Sequence, residues 1–89
     1  MGVMQMNVHS MEPLINKGES IHIEDKAKLD IGDIALLQVI ETKEFKVRRY
    51  LEKDKEITLK PENSNYRKEI FKRDEILIWG RVCGVTKKF

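Results

Sequence analysis

Cysteine is almost missing from this chain. Cys83 stands alone, which excludes an intramolecular disulfide and leaves a cysteine-built zinc site without a second thiolate. A reducing, cytoplasmic setting is the expectation for such a chain. Long apolar runs are missing as well, and nothing approaches the ~18 residues of a membrane-spanning helix. The N-terminus has no basic segment leading into an apolar one, so no signal peptide is expected. Histidines are scarce: His9 and His22 are the two. His9 adjoins Ser10, and neighbours on an extended chain point to opposite faces, so His9 is badly placed to act as a base for that serine. His22, between Ser20 and Glu24, reads as a surface side chain. A Ser-His-Asp triad therefore lacks its histidine. No cofactor or metal site is suggested. Nor is there an excess of one charge: 17 basic residues face 15 acidic ones, giving a net charge of +2. The signs alternate, as in Glu52-Lys53-Asp54-Lys55-Glu56, which describes a solvated surface and not a nucleic-acid stripe. No helix-turn-helix or zinc finger is visible, so any contact with DNA is expected from another domain.

What is present fits one small domain over residues 1–89. A chain of this size buries only ~60–65% of its unfolded surface, so its core is thin and pairing with a second copy would stabilise it. The apolar pattern is that of strands. Ser20-Ile21-His22-Ile23-Glu24 alternates and reads as a half-buried strand. Ile34-Ala35-Leu36-Leu37-Gln38-Val39-Ile40 is nearly continuous and predicts a central strand. Residues 44–51 return as its partner, with Phe45, Val47 and Arg49 on one face and Lys46, Arg48 and Tyr50 on the other. Further strands are expected at 1–8, 56–60, 69–71 and 76–85, with Pro61 ending the second of these. Residues 25–28 read as a charged loop, Gly32 as a turn residue free to take positive φ, and Gly80 and Gly84 as sites for bulges. The fold expected is mainly β, with about six or seven short strands, hairpin connections and at most one helical turn. Trp79 and Tyr66 read as packing residues and Cys83 as a small buried one. By composition alone Lys46 and Arg48 are ordinary surface charges.

One stretch stands apart: Val8-His9-Ser10-Met11-Glu12-Pro13. Ser-x-x-Pro commonly marks a helix start, with the serine as N-cap. The same residues can instead present a serine at a strand-to-turn junction. With no histidine to serve it, a serine nucleophile here would need a lysine base, desolvated so that its amine can take a proton. Further landmarks follow in order: Lys17-Gly18-Glu19, Ile31-Gly32-Asp33-Ile34, Val47-Arg48-Arg49-Tyr50, Leu59-Lys60-Pro61-Glu62-Asn63-x-x-Tyr66, and Ile78-Trp79-Gly80-Arg81-Val82-x-Gly84-Val85.

Together these resemble the C-terminal peptidase domain of LexA-type repressors, UmuD and the phage repressors, in the Ser-Lys superfamily that includes the signal peptidases. The resemblance covers the chain from about Val8 to Val85. It implies a Ser10 nucleophile, a lysine general base on the hairpin strand, and oxyanion donors near Ser10 and Met11. It also implies a homodimer formed partly through the C-terminal strand, and a peptide or protein cleavage loop as substrate. In the repressors of this group that loop lies upstream of the domain, and its cleavage separates the DNA-binding part from the dimerising part, as in the SOS response. With nine residues before Ser10, a C-terminal fragment or a stand-alone domain is expected, and self-cleavage in cis is not. The sequence departs from the pattern at three places. Val8-His9 replaces a small pair, Gly18-Glu19 replaces the commoner Gly-Asp, and counting back from Leu59 puts Arg48 where the lysine belongs. Counting forward from Gly32 lands on Lys46, about 6.8 Å along the same strand face. An arginine stays protonated and cannot serve as the base. Two readings follow: a Ser10–Lys46 peptidase, or an inactive dimerisation module of a transcriptional repressor.

Overall fold

The computed structural model describes residues 2–25 and 29–87. Seven strands make one sheet: β1 (Gly2–Gln5), β2 (Ser20–Glu24), β3 (Ile34–Val39), β4 (Phe45–Lys53), β5 (Glu56–Lys60), β6 (Glu69–Lys72) and β7 (Ile76–Thr86). Among the described residues one 3-10 turn, Arg73–Glu75, precedes β7. The order across the sheet is β1-β2-β7-β3-β4-β5-β6, and every pairing is antiparallel. The expected mainly β fold is the one observed, with β2 and β5 at their expected bounds. The first strand is shorter than its pattern, because after Gln5 the chain turns inward at the buried Met6. The charged loop expected at residues 25–28 lies, beyond Asp25, outside the described residues. No described helix is long and apolar enough to cross a membrane.

Alternation explains two separate cores. On β3, Ala35, Leu37 and Val39 face one cluster with Tyr50, Ile57, Leu59 and Ile76. Ile34 and Leu36, pointing the other way, pack on a second cluster built from Met6, Met11, Ile15, Ile21, Ile23 and Val47. A strand covered on both faces has no polar side to show, which is why β3 reads as a continuous apolar run. The two clusters are joined by β7. Its first half pairs with β3 as far as Arg81, and its second half pairs with β2 from Arg81 onward. The ladders overlap at that one residue, and both are bulged near it. Gly80 is obligatory there: a Cβ at this position would lie 2.5 Å from the Glu24 carbonyl oxygen and 2.6 Å from an Ile23 methyl.

Three packing expectations are corrected. Trp79 is half exposed; the bulge turns it outward, where its ring meets Phe45 in a tilted pair at 5.5 Å and donates to Gln38. Cys83 is also exposed, because it falls at the second bulge, between the paired Val82 and Gly84. Tyr66, too, lies on the surface.

The β4–β5 hairpin turns through Asp54 and Lys55, both at positive φ (51° and 67°). Left-handed backbone is costly for a side chain with a Cβ and free for glycine. Lys55→Gly is therefore expected to raise stability by up to about 1 kcal/mol. Gly80→Ala should lower it by about 1–3 kcal/mol, because the added methyl meets backbone and not a movable side-chain tip. Urea denaturation of both variants measures these effects, and a neutral Gly80→Ala would show that β7 need not cross so close to β2.

Candidate active site

Ser10 lies in the long connection between β1 and β2. Met6, Met11 and Ile15 anchor that connection by burying their side chains in the second cluster. Glu12 N–H donates to the His9 carbonyl (3.1 Å) and Ile15 N–H to the Met11 carbonyl (2.8 Å), so the chain makes turns here and starts no helix. The N-cap reading of Ser10 is thereby excluded. His9 turns to Glu12, with 2.8 Å between Nδ1 and the carboxylate. The Lys17 N–H, and then His9, hold the Glu12 carboxyl below its ordinary value.

The turn is pinned from the far side by Asn63. Its backbone N–H donates to the Ser10 carbonyl and its side-chain amide to the His9 carbonyl, each at 3.0 Å. Glu62, next to it, accepts from Arg49 Nε at 2.6 Å, which ties this loop to β4. Ser10 is fully buried among these segments.

Arg48 reaches Ser10. Its Nη1 donates to Ser10 Oγ and to the Val47 carbonyl, both at 2.8 Å. The residue is 9% exposed, and its Nε–H has no hydrogen-bond partner. Burial pushes the guanidinium below its ordinary value, with Glu69 and Glu44 opposing at longer range. Both acceptors in contact with it are neutral. A guanidinium nonetheless remains protonated in a protein, so Arg48 donates to Ser10 and cannot take its proton.

Lys46 sits elsewhere. Its Nζ pairs with Glu69 at 3.0 Å and with Glu44 at 3.2 Å, and its side chain is only 10% exposed. Neither Lys46 nor Arg48 is thus the ordinary surface charge that composition suggests. Of the two candidate partners, Arg48 is the one hydrogen-bonded to Ser10. Met11 is wholly buried beside it. The Ser10 and Met11 N–H groups donate no hydrogen bond among the described residues. They are the donors an oxyanion hole would need, but with both residues shielded no carbonyl reaches them unless the turn moves.

A groove of about 440 Å³ opens beside this cluster. Met4, Met6 and Val8 form one wall, and residues 45–48 form the other. Residues 44–48 line it together with Leu36 of β3, so it takes in the first part of β4 and its β3 neighbour. The other edge of that part of β4 is open because β5 pairs with β4 only from Arg49 onward. A neighbouring depression shares Met4 and Leu36 and reaches Val3 and Trp79.

The profile of the Peptidase S24-like family matches residues 2–83. The chain belongs to that family. The S24-like domain is therefore the LexA-type fold that the ordered landmarks resemble, with its serine turn and hairpin strand facing each other. Asn63 and Glu69, beside the site, and Lys87, on the connection that carries Ser10, hold contacts that local sequence patterns do not signal. Asn63 lay within a quoted landmark but carried no role there. Glu69 lies 23 positions from Lys46, and Lys87, which donates to the Leu14 carbonyl at 2.8 Å, lies 73 positions from its acceptor. No local pattern signals contacts of that range.

A buried cation with neutral partners costs stability. Arg48→Met, which keeps the packing stem and removes the charge, is expected to leave the denaturation midpoint unchanged or higher. Asn63→Ala should cost about 0.5–1.5 kcal/mol, since it removes the side-chain donor to the exposed His9 carbonyl. Denaturant titration distinguishes these outcomes, and a loss of several kcal/mol in Arg48→Met would mean that the guanidinium holds the turn in place.

Proposed function

We propose that this S24-like domain is a module of a repressor-type regulator that has lost hydrolysis and acts by binding and self-association. One observation carries the reading: Ser10 Oγ receives a hydrogen bond from Arg48 Nη1 at 2.8 Å, where a working dyad needs a proton acceptor. Serine attack on a carbonyl requires its proton to leave. Here the partner is itself a proton donor, its charge is permanent, and the hydroxyl is sealed from solvent. The burial of Ser10 supports the same conclusion.

Self-association would draw on side chains of the sheet surface. Phe45, Leu77 and Trp79 are each about half exposed on the β3–β4–β7 face. A dimer through the C-terminal strand can use these outward side chains of β7, whose backbone is paired with β3 and then β2 along successive halves.

The second reading keeps the enzyme, with Lys46 as the base of Ser10. What favours it is that Lys46 lines the same groove as Arg48, on the same strand face, with most of its side chain out of water. It requires Nζ to leave both Glu69 and Glu44 and to displace Arg48 from the hydroxyl.

Incubation with cleavage-loop peptides at alkaline pH, followed by mass spectrometry, separates the two readings. The inactive reading expects intact peptide with the native chain, with Ser10→Ala and with Lys46→Ala alike. Product that disappears in Ser10→Ala and Lys46→Ala would overturn it. Arg48→Lys offers the complementary test: an amine at this position can lose its proton, so Ser10-dependent cleavage by this variant is the expected gain. A sedimentation profile that stays monomeric at tens of micromolar would remove self-association from the proposal.

A further inference from the structure

We infer that the β1–β2 connection is a gate over Ser10 and that Lys87 is the latch that holds it shut. The inference is independent of which side chain serves Ser10, since any group that is to meet the hydroxyl must first reach it. Ser10 and Met11 are both fully buried. Ser10 rides on the connection of residues 6–19, so lifting that connection is the direct way to uncover it.

The connection is fastened unevenly along its length. Its two ends meet each other, with Met6 N–H donating to the Glu19 carbonyl (2.9 Å) and Gly18 N–H to the Met6 carbonyl (2.8 Å). Its serine turn is pinned by Asn63, at the His9 and Ser10 carbonyls. Residues 11–16 are held differently. Met11 and Ile15 bury their side chains, and the hydrogen bonds of Ile15 N–H to the Met11 carbonyl and of Asn16 N–H to the Glu19 carboxylate (2.7 Å) stay inside the connection. Among the described residues, one hydrogen bond reaches this stretch from elsewhere in the fold. It comes from Lys87, whose Nζ donates to the Leu14 carbonyl at 2.8 Å.

The same amine pairs with the Glu19 carboxylate at 3.3 Å. One side chain thus spans the connection from Leu14 to Glu19. The Glu19 side chain is only 5% exposed, so water and salt screen this pair less than they screen a pair of exposed charges. The charge on Lys87 also strengthens its bond to the Leu14 carbonyl. Lys87 stands one residue beyond Thr86, the last residue of β7, which pairs with Ser20 at the start of β2. Half of its side chain is exposed, so the amine can be reached from outside while the serine it guards cannot. Neutralising or displacing that amine removes both ties in one step and leaves the Asn63 bonds in place. Segments of a fold open with free energies of their own, and the apolar anchors Met11 and Ile15 keep the open form here a minor one. Loss of the latch then raises its population in proportion, which couples the end of β7 to the exposure of Ser10.

The test is amide hydrogen exchange on the full chain, native and Lys87→Met, read residue by residue by NMR. Ile15 N–H reports the latched stretch, and Asn63 N–H, bonded to the Ser10 carbonyl, reports the serine turn with Ser10 in place. Both are expected to exchange about tenfold faster in Lys87→Met, the order of one hydrogen bond to a charged group, while Leu37 in β3 and Val47 in β4 keep their native rates. Lys87→Arg, which retains a charged donor, should stay close to native. A second measurement uses Ser10→Cys in a Cys83→Ser background, where labelling by dithiobis(nitrobenzoate) reads access to position 10. Adding Lys87→Met should speed that labelling by a similar factor. Native exchange at Ile15 in Lys87→Met overturns the latch. Equal acceleration at Ile15, Leu37 and Val47 overturns it too, since Lys87 would then only stabilise the whole fold. Faster exchange at Ile15 with Asn63 and the thiol unchanged would show that the stretch opens without uncovering Ser10, and the gate would be wrong.

Discussion

The hydrogen bond from Arg48 to Ser10 joins the two halves of this small domain. Ser10 belongs to a turn whose anchors, Met6, Met11 and Ile15, lie in one apolar cluster. Arg48 stands on the face of β4 that carries Tyr50, a member of the other. The contact is polar, buried and charged on one side only. Domains of this kind have net stabilities of about 5–15 kcal/mol, and one unsatisfied buried donor costs about 1–3 kcal/mol of that. On stability grounds an apolar side chain of similar length would serve better at position 48. The arginine's direct hydrogen-bond partners are the Ser10 hydroxyl and the Val47 carbonyl.

The fold also creates the groove beside it. β7 reaches across the molecule because Gly80 lets it pass within contact of Glu24 and Ile23. Its two halves then support β3 on one side and β2 on the other, which brings the β1 side of the molecule within reach of the β3–β4 hairpin. β4 is longer than β5, and the surplus, residues 45–48, faces the Met4–Val8 wall without a strand between them. The groove is thus a missing strand position. Its lining alternates between the two faces of β4, which places apolar Phe45 and Val47 beside basic Lys46 and Arg48 in one channel.

Strand positions were legible wherever one physical rule dominated. Alternation gave β2 and β5 their bounds, and the lack of alternation in β3 pointed to burial on both faces. Gly32 takes its expected turn at φ 95°. The bulges were legible at Gly80 and Gly84, but not their consequence, that the neighbouring Trp79 and Cys83 turn outward. Burial of Lys46 and Arg48 was hidden for a different reason. Composition treats a charged residue as solvated, whereas here Arg48 runs beneath a turn from a distant part of the chain and Lys46 is drawn in by Glu44 and Glu69. The identity of the residue opposite Ser10 could be narrowed to two positions by counting from either end of the hairpin. Choosing between them needed the strand register, Ala35 with Arg48 and Leu37 with Lys46.

Lysine and arginine differ most where water is excluded. A buried lysine can shed its proton, because desolvation works directly against an ammonium that has an accessible neutral form. A buried arginine feels the same pressure, and burial lowers its affinity for the proton here, but its starting point lies too far from neutrality for the charge to be lost. The same strand position beside the same serine therefore yields a base in one case and a permanent cation in the other. On the reading proposed above, a permanent cation beside the serine donates to the hydroxyl and never takes its proton, so the loss of hydrolysis would follow from one side chain and need no other change in the fold.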